Sequence, residues 1–172
     1  QIKSEVQNKN VIIITSMNDP NKKFLPLLFC IAALRDLGAT SIGLIAPYLA
    51  YMRQDTRFVA GEAITADYFA AILSQKIDWL LTVEPHLHRH KSLTEIYTIP
   101  ATVVHATNSI CTWLKENIKL PLLIGPDQES EQWVSTIAKE LGAPFIILEK
   151  HRHGDRDVDI VIPNLQEYAT LT

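Results

Sequence analysis

The stretch VIIITSMNDPNKKFLPLLFCIAALRDLGATSIGLIA, residues 11–46, decides the fold. Its first five residues are all β-branched and the first four are apolar, without polar alternation, which predicts a strand buried on both faces. Residues 24–37 then carry apolar side chains at helical spacing, and Gly38 follows them as a helix terminator. Residues 41–46 form the next apolar run. Strand, helix and strand in this order predict two parallel strands joined by a right-handed crossover.

The same alternation continues along the rest of the chain. Further strands are predicted at 79–83, 101–105, 120–125, 144–148 and 158–162, and further helices at 64–75, 108–118 and 129–141. This pattern predicts an α/β fold with parallel, doubly wound sheets that carry helices on both faces. The best candidate for a domain joint is 101–107, so we expect one domain over 1–106 and the start of a second over 107–172.

Composition and charge narrow the class of protein. Of 172 residues, 47% are hydrophobic and 20% are charged, which is typical of a globular protein and excludes disorder. The net charge is −3 with no basic or acidic block, so neither nucleic-acid binding nor a membrane-surface role is supported. No apolar run is long enough to span a membrane. Cys30 and Cys111 lie in apolar stretches, and we expect both thiols to be buried in a cytoplasmic protein.

Ligands of parallel α/β sheets bind where the strands end at their carboxyl side. The segments that follow the predicted strands are all polar or charged; they are 47–55, 84–90, 126–131 and 149–156. In the first of them, Arg53 offers a planar cation for a phosphate or a base, and Gln54 can both donate to and accept from adenine. The alternative is a solvated loop whose aromatic residues pack on the core.

Three histidines stand at alternate positions in the second segment, His86, His88 and His90. On an extended backbone they would share one face, where imidazoles could bind a transition metal. A metal-dependent hydrolase is therefore a possible reading, although the His-Glu-x-x-His motif of such enzymes is absent.

The last two segments allow either a structural or a chemical role. Asp127, in Gly125-Pro126-Asp127, is a natural helix N-cap and could also hold a cation. Lys150 and Arg152 lie in a charged run that is either a solvated hairpin or loop, or a clamp on a transferring phosphate. Neither the P-loop nor the dinucleotide-binding glycine motif is present.

Two segments together resemble the ATP-binding signature of the ribose-phosphate pyrophosphokinases. They are Pro47-Tyr48-Leu49-Ala50-Tyr51-Met52-Arg53-Gln54-Asp55 and Gly61-Glu62-Ala63-Ile64-Thr65-Ala66. The resemblance runs from about residue 11 to 162. It implies the phosphoribosyltransferase type of fold, with parts of two similar domains.

The resemblance also implies roles for individual residues. Arg53, Gln54 and Asp55 fall at the family's adenine-nucleotide signature. His86 falls at its Asp-x-His pair near Mg-ATP, with Glu84 in place of the usual aspartate, and Asp127 falls at the magnesium-linked aspartate of its Ser-Pro-Asp motif. Lys150 and Arg152 match the Lys-x-Arg pair of its flexible catalytic loop.

The implied reaction transfers the diphosphoryl group of ATP to ribose 5-phosphate and gives phosphoribosyl pyrophosphate, an intermediate of nucleotide biosynthesis, and AMP. Mg²⁺ is the implied cofactor, ATP and ribose 5-phosphate are the implied partners, and a homodimer or larger homo-oligomer is the implied assembly. Two family loops, one upstream and one that binds the sugar phosphate downstream, have no counterpart in this sequence. We therefore expect a divergent, internal fragment that is inactive alone.

Other departures from the family pattern keep a second class of function open. Gln128-Glu129-Ser130 stand where the family has glycines, and no role is carried onto His88 or His90. A non-catalytic relative that binds a nucleotide or regulates the true enzyme is the main alternative, ahead of the histidine-based hydrolase.

Overall fold

A computed structural model describes residues 1–152, 158–162 and 166. The chain divides into two compact units, Gln1–His105 and Ala106–Thr172. Among the described residues, no helix is long and apolar enough to cross a membrane.

The first unit alternates strands with helices, as predicted. Its elements are β1 (Asn10–Ile14), α1 (Pro20–Asp36), β2 (Ser41–Ala46), α2 (Thr65–Ser74), β3 (Trp79–Val83), the short 3₁₀ helix η1 (Leu93–Glu95) and β4 (Ala101–Val104). Strands β2 and β3 have the predicted bounds. Helix α1 begins four residues earlier than predicted, because Pro20 has the backbone angle that suits a first helical position and lacks only an N–H that would be unpaired there.

The four strands form one parallel sheet in the order β1-β2-β3-β4. The register is regular, with Ile13 opposite Leu44 and Leu44 opposite Leu80. Sequential order in a parallel sheet sends successive right-handed crossovers to the same face. Helices α1 and α2 accordingly share one core with the sheet, formed by Leu27, Ile31, Leu34, Phe69, Ala70, Leu73, Ile42, Leu44, Ala46 and Leu80.

The opposite face of this sheet differs from the expectation of helices on both sides. The predicted fully buried strand, β1, alternates between half-buried and exposed residues. Ile12 and Ile14 are 54% and 70% exposed. On the same face, Trp79 covers Gly43, where a Cβ atom would lie 2.0 Å from the indole ring. The physical reason for the exposure is that both α-helices of this unit pack on the other face.

The second unit contains α3 (Thr107–Asn117), β5 (Leu123–Gly125), a 3₁₀ helix, η2 (Gln128–Ser130), α4 (Glu131–Leu141), β6 (Phe145–Ile147), β7 (Glu149–Arg152) and β8 (Val158–Val161). Strands β5 and β6 are parallel, whereas β7 and β8 pair antiparallel. The last predicted strand is therefore a partner of β7 in a hairpin and not a further parallel strand. Helix α4 ends at the left-handed Gly142, as the sequence indicates.

The two cysteines have different environments. Cys111 is buried, as expected, but Cys30 is exposed. Helix α1 is apolar on most of its circumference, so its sequence does not indicate which of its residues face the sheet. The prediction that both thiols are buried is wrong for Cys30.

Candidate functional site

The loops that follow β2 and β3 leave the sheet at the same edge. These strands are parallel neighbours, and Ala46 at the end of β2 lies opposite Thr82 in β3. Each loop contains one non-glycine residue with left-handed backbone, Tyr51 at φ 63° and Glu84 at φ 40°. Such conformations are costly and are concentrated at functional sites. The edge formed by these two loops is the candidate functional site of the first unit.

The first loop is anchored by apolar side chains on either side of its left-handed turn. Leu49, Ala50 and Met52 are buried, and the ring of Tyr51 lies 5.2 Å from that of Phe69 in α2. A loop packed in this way holds its polar residues in one position. The aromatic and apolar residues of this loop therefore pack on the core, as the solvated-loop alternative predicts, while the end of the loop is polar and partly exposed.

Arg53 and Gln54 form that polar end. Arg53 is exposed to solvent. Gln54 accepts a hydrogen bond from the hydroxyl of Thr65 at 2.9 Å, and its backbone carbonyl accepts one from Ala66 N–H at 3.2 Å. The loop is thereby tied to the first turn of α2, which leaves the amide nitrogen of Gln54 as a donor.

Asp55 is buried, and its carboxylate contacts the second loop. Its side chain is 1% exposed, and Oδ1 accepts a hydrogen bond from Nη1 of Arg89 at 2.6 Å. The other oxygen, Oδ2, is buried without a hydrogen-bond partner among the described residues. A carboxylate is rarely buried unless it is paired, so this ion pair joins the loop after β2 to the loop after β3.

The three histidines do not share one face. The rings of His86 and His88 are stacked with centroids 5.9 Å apart, whereas His90 lies between Asp67, at 3.7 Å, and Glu95, at 3.5 Å. The segment is not a strand, so the alternation of an extended backbone does not apply. No group of three possible metal ligands occurs in the described parts of the chain, and the shared face on which the histidine-based hydrolase was argued is not observed.

Glu84 contacts a histidine after the next strand. Its Oε2 lies 3.2 Å from Nδ1 of His105, the residue that follows β4. Its backbone N–H donates to the carbonyl of Val104 at 3.2 Å. The left-handed turn at Glu84 therefore closes against the adjacent strand and directs the chain toward His86.

Asp127 lies in the second unit and caps the 3₁₀ helix η2. Its Oδ1 accepts a hydrogen bond from the N–H of Ser130 at 3.1 Å, and the Ser130 hydroxyl donates to the carbonyl of Asp127 at 2.5 Å. Gly125 makes room for this cap, because a Cβ atom there would lie 2.5 Å from Oγ of Ser130. Ser130, which stands where the resemblance implies a glycine, completes a capping box, because its Oγ accepts a hydrogen bond from the Asp127 N–H at 3.4 Å.

Lys150 and Arg152 lie in β7 and not in a loop. They stand opposite Ile160 and Val158 in the antiparallel hairpin. An antiparallel strand pair is compatible with the hairpin that the sequence allows for this run, and the catalytic role implied by the resemblance stays a prediction. Of the charged run that follows, residues 153–157 lie outside the described residues.

Two residues of the site were not singled out from the sequence. Arg89 pairs with Asp55, and Thr65 holds Gln54. The sequence gives no signal for this role of Arg89, because the burial of Asp55 that requires a cation is decided by tertiary packing. Thr65 lies in the second segment that carries the resemblance, but its hydrogen bond to Gln54 could not be predicted, because the contact depends on how the loop folds back on α2.

Known proteins share sequence similarity with this chain. Residues 1–76 match the family described as the N-terminal domain of ribose phosphate pyrophosphokinase. The ribose-phosphate pyrophosphokinase of Saccharolobus solfataricus is 36% identical over 88% of this chain and 52% of its own length. That of Methanobrevibacter smithii is 29% identical over 96% of this chain and 55% of its own length.

A solved structure shows the same fold. The phosphoribosylpyrophosphate synthetase of Mycobacterium smegmatis matches with a TM-score of 0.78 and 22% identity, over 94% of this chain and 53% of that protein. The predicted class, an α/β protein with parallel sheets, is confirmed. Over most of its length the chain is similar to ribose-phosphate pyrophosphokinases, and it spans about half the length of the curated relatives it matches.

Proposed function

We propose that the protein carrying this chain is a ribose-phosphate diphosphokinase, which transfers a diphosphoryl group from Mg-ATP to ribose 5-phosphate. The observation that carries the proposal is the convergence of the loops after β2 and β3, joined by the Asp55–Arg89 pair. This convergence puts an arginine and an amide at the same sheet edge as His86. The names of the curated relatives support the reaction.

In the proposed reaction the anomeric hydroxyl of the sugar attacks the β-phosphorus of ATP. The bond from that phosphorus to the oxygen of the α-phosphate breaks, AMP leaves, and the hydroxyl proton passes to solvent or a base. Such transfers need alignment and charge stabilisation more than covalent catalysis. Arg53 and Gln54 are proposed to bind the adenine nucleotide, and Lys150 and Arg152 to stabilise charge in the transition state.

Asp127 and His86 are the residues proposed to lie near the magnesium ion. Mg²⁺ favours oxygen donors, keeps several waters and uses one or two carboxylates together with substrate phosphates. Asp127 fits, because its Oδ1 forms the cap and the carboxylate has a second oxygen. His86 is a nitrogen ligand and fits better as a partner of a phosphate or a bound water. When bound, magnesium would neutralise phosphate charge.

The reaction is tested with Lys150→Ala in the full-length protein. We expect formation of AMP to fall by about a hundredfold or more, as on loss of a group that stabilises transition-state charge, while the Kd for ATP is retained. Lys139→Ala, an exposed lysine of α4, is the matched control. Near-normal turnover of Lys150→Ala would contradict the catalytic role. ATP binding by the unaltered protein without formation of AMP would favour a non-catalytic relative.

Three further properties belong to the same proposal. Assembly into a homodimer or larger homo-oligomer, cytoplasmic location and a role in nucleotide biosynthesis accompany the proposed activity. Sedimentation of the full-length protein tests the first of them directly. A monomer with full activity would separate the assembly from the reaction.

A further inference from the structure

Arg89 is the one residue of the candidate site whose cation is held in place by a buried carboxylate. Its Nη1 donates to Oδ1 of Asp55 at 2.6 Å, and its guanidinium lies 5.5 Å from the ring centroid of Phe58. One nitrogen and one face of the guanidinium are therefore fixed. Charge-assisted hydrogen bonds of this length are among the stronger ones in proteins.

The rest of the guanidinium faces outward. The Arg89 side chain is 44% exposed, and Asp55 is its one hydrogen-bond partner within the described part of the chain. Most of its N–H donors are therefore left for a ligand. Asp55 itself is almost completely covered, so it contacts a bound nucleotide only through Arg89 unless the loop moves.

The position of Arg89 suits a phosphate of the nucleotide. The residue follows β3 three positions after His86, and its partner Asp55 directly follows Arg53 and Gln54. The ion pair thus places an exposed cation at the sheet edge where parallel α/β sheets bind ligands. A pre-oriented guanidinium loses little entropy when it binds an oxyanion, and its planar fork matches phosphate oxygens.

We propose that Arg89 binds a phosphate group of the nucleotide and that Asp55 is its positioning residue. This inference rests on the proposed function, because it assumes that the edge binds ATP. It differs from a purely structural role, in which the pair only joins two loops. It also differs from binding the phosphate of ribose 5-phosphate, which shares the same chemistry.

The test compares ligands with and without phosphate on Arg89→Ala in the full-length protein, by calorimetry. We expect the Kd for Mg-ATP to rise about tenfold or more, as for loss of a hydrogen bond to a charged group, while the Kd for adenosine changes less than about twofold. Arg89→Lys, which keeps the charge and loses the fork, should recover part of the loss.

Arg35→Ala is the matched control. Arg35 forms an ion pair of the same length, 2.6 Å, with Asp78. Asp78 directly precedes β3, at the opposite edge of the sheet. We expect this variant to bind ATP and adenosine as the unaltered protein does.

The outcomes separate the inference from the function on which it rests. Equal loss of ATP and adenosine affinity in Arg89→Ala would show a structural pair and overturn the inference. An unchanged Kd for ATP, or a loss confined to ribose 5-phosphate, would overturn it as well. Absence of ATP binding by the unaltered protein would overturn the proposed function too. If Arg89→Ala does not fold, the ratio of ATP to adenosine affinity in Arg89→Lys decides.

Discussion

Asp55 shows at the residue scale how one side chain can organise a site without being on its surface. The letters Arg-Gln-Asp suggest three ligand contacts in a row. In the fold, Arg53 is exposed, Gln54 is half-buried and Asp55 is covered. Exposure to solvent therefore decreases along these three residues, and only the first is fully available to a ligand. The buried carboxylate of Asp55 contributes to the site by orienting the guanidinium of Arg89.

Arg53→Ala should weaken ATP binding more than it weakens the fold. The side chain is exposed, so we expect a change in the free energy of unfolding within about 0.5 kcal/mol. The Kd for ATP should rise by about tenfold. Calorimetry and urea unfolding on the same preparation measure both quantities.

Lys76→Ala is the control for this charge change, because Lys76 is an exposed cation just after α2, at the far end from Thr65. Parallel losses of stability and affinity in Arg53→Ala would instead favour the solvated, structural loop.

At the scale of elements, one charged residue forms hydrogen bonds at the amino-terminal ends of the parallel strands. Asp78 precedes β3, and its Oδ2 accepts hydrogen bonds from the backbone N–H of Ile42 and from Arg35, both at 2.6 Å. One carboxylate thus links α1, β2 and β3. Burial alone would raise the pKa of Asp78, but the hydrogen bonds from Ile42 and Arg35 together hold this pKa below its ordinary value of 3.8.

The lowered pKa predicts a pH-dependent contribution to stability. A carboxyl whose pKa is lower in the folded state stabilises the fold above the unfolded value, and this contribution is lost as the pH falls from about 3.8 through the folded pKa. Asp78→Asn should therefore be less stable than the unaltered chain at pH 7, by about 0.5–1 kcal/mol for such an exposed pair. The difference should shrink toward low pH.

Urea unfolding at pH 7, 5 and about 3 measures this difference. Asp36→Asn, an exposed carboxylate at the end of α1, controls for loss of a negative charge. A stability difference between Asp78→Asn and the unaltered chain that is the same at every pH would contradict the argument.

At the scale of the whole molecule, the four-stranded sheet of the first unit has one packed face and one open face. The open face carries Ile12 and Ile14. An apolar sheet face of this kind is unusual in a protein that works as a monomer. The two faces therefore predict different stability costs for the same isoleucine-to-threonine substitution in β1 and in β2.

Ile14→Thr should change the free energy of unfolding by less than about 0.5 kcal/mol, because the side chain is already exposed and threonine keeps the branching that suits a strand. Ile42→Thr should cost about 2–4 kcal/mol, since Ile42 is completely buried and the change adds an unpaired hydroxyl to the core. Urea unfolding of both variants at low protein concentration checks this. Similar costs would show that the face with Ile14 is covered in the folded protein.

Much of the candidate site could be predicted from the sequence, because the polar segments follow apolar runs directly. Arg53, Gln54 and His86 were placed after the correct strands on this basis. The Arg89–Asp55 pair could not be predicted, since it joins residues 34 positions apart and depends on the register of β2 and β3. The separation of His90 from the other histidines could not be predicted either, because folding places His90 between Asp67 and Glu95.

The order and type of the four α-helices and of every strand except β7 followed from the sequence alone, because apolar periodicity and terminators such as Gly38 and Gly142 act over only a few residues. The tertiary structure alone decided which face of the sheet the helices cover, that β7 and β8 run antiparallel, and that Cys30 is exposed. Those features arise from contacts between distant segments, and their free energies depend on packing that local patterns do not encode. Tertiary packing likewise decides that Arg53 is exposed and that Asp55, two residues later, is buried.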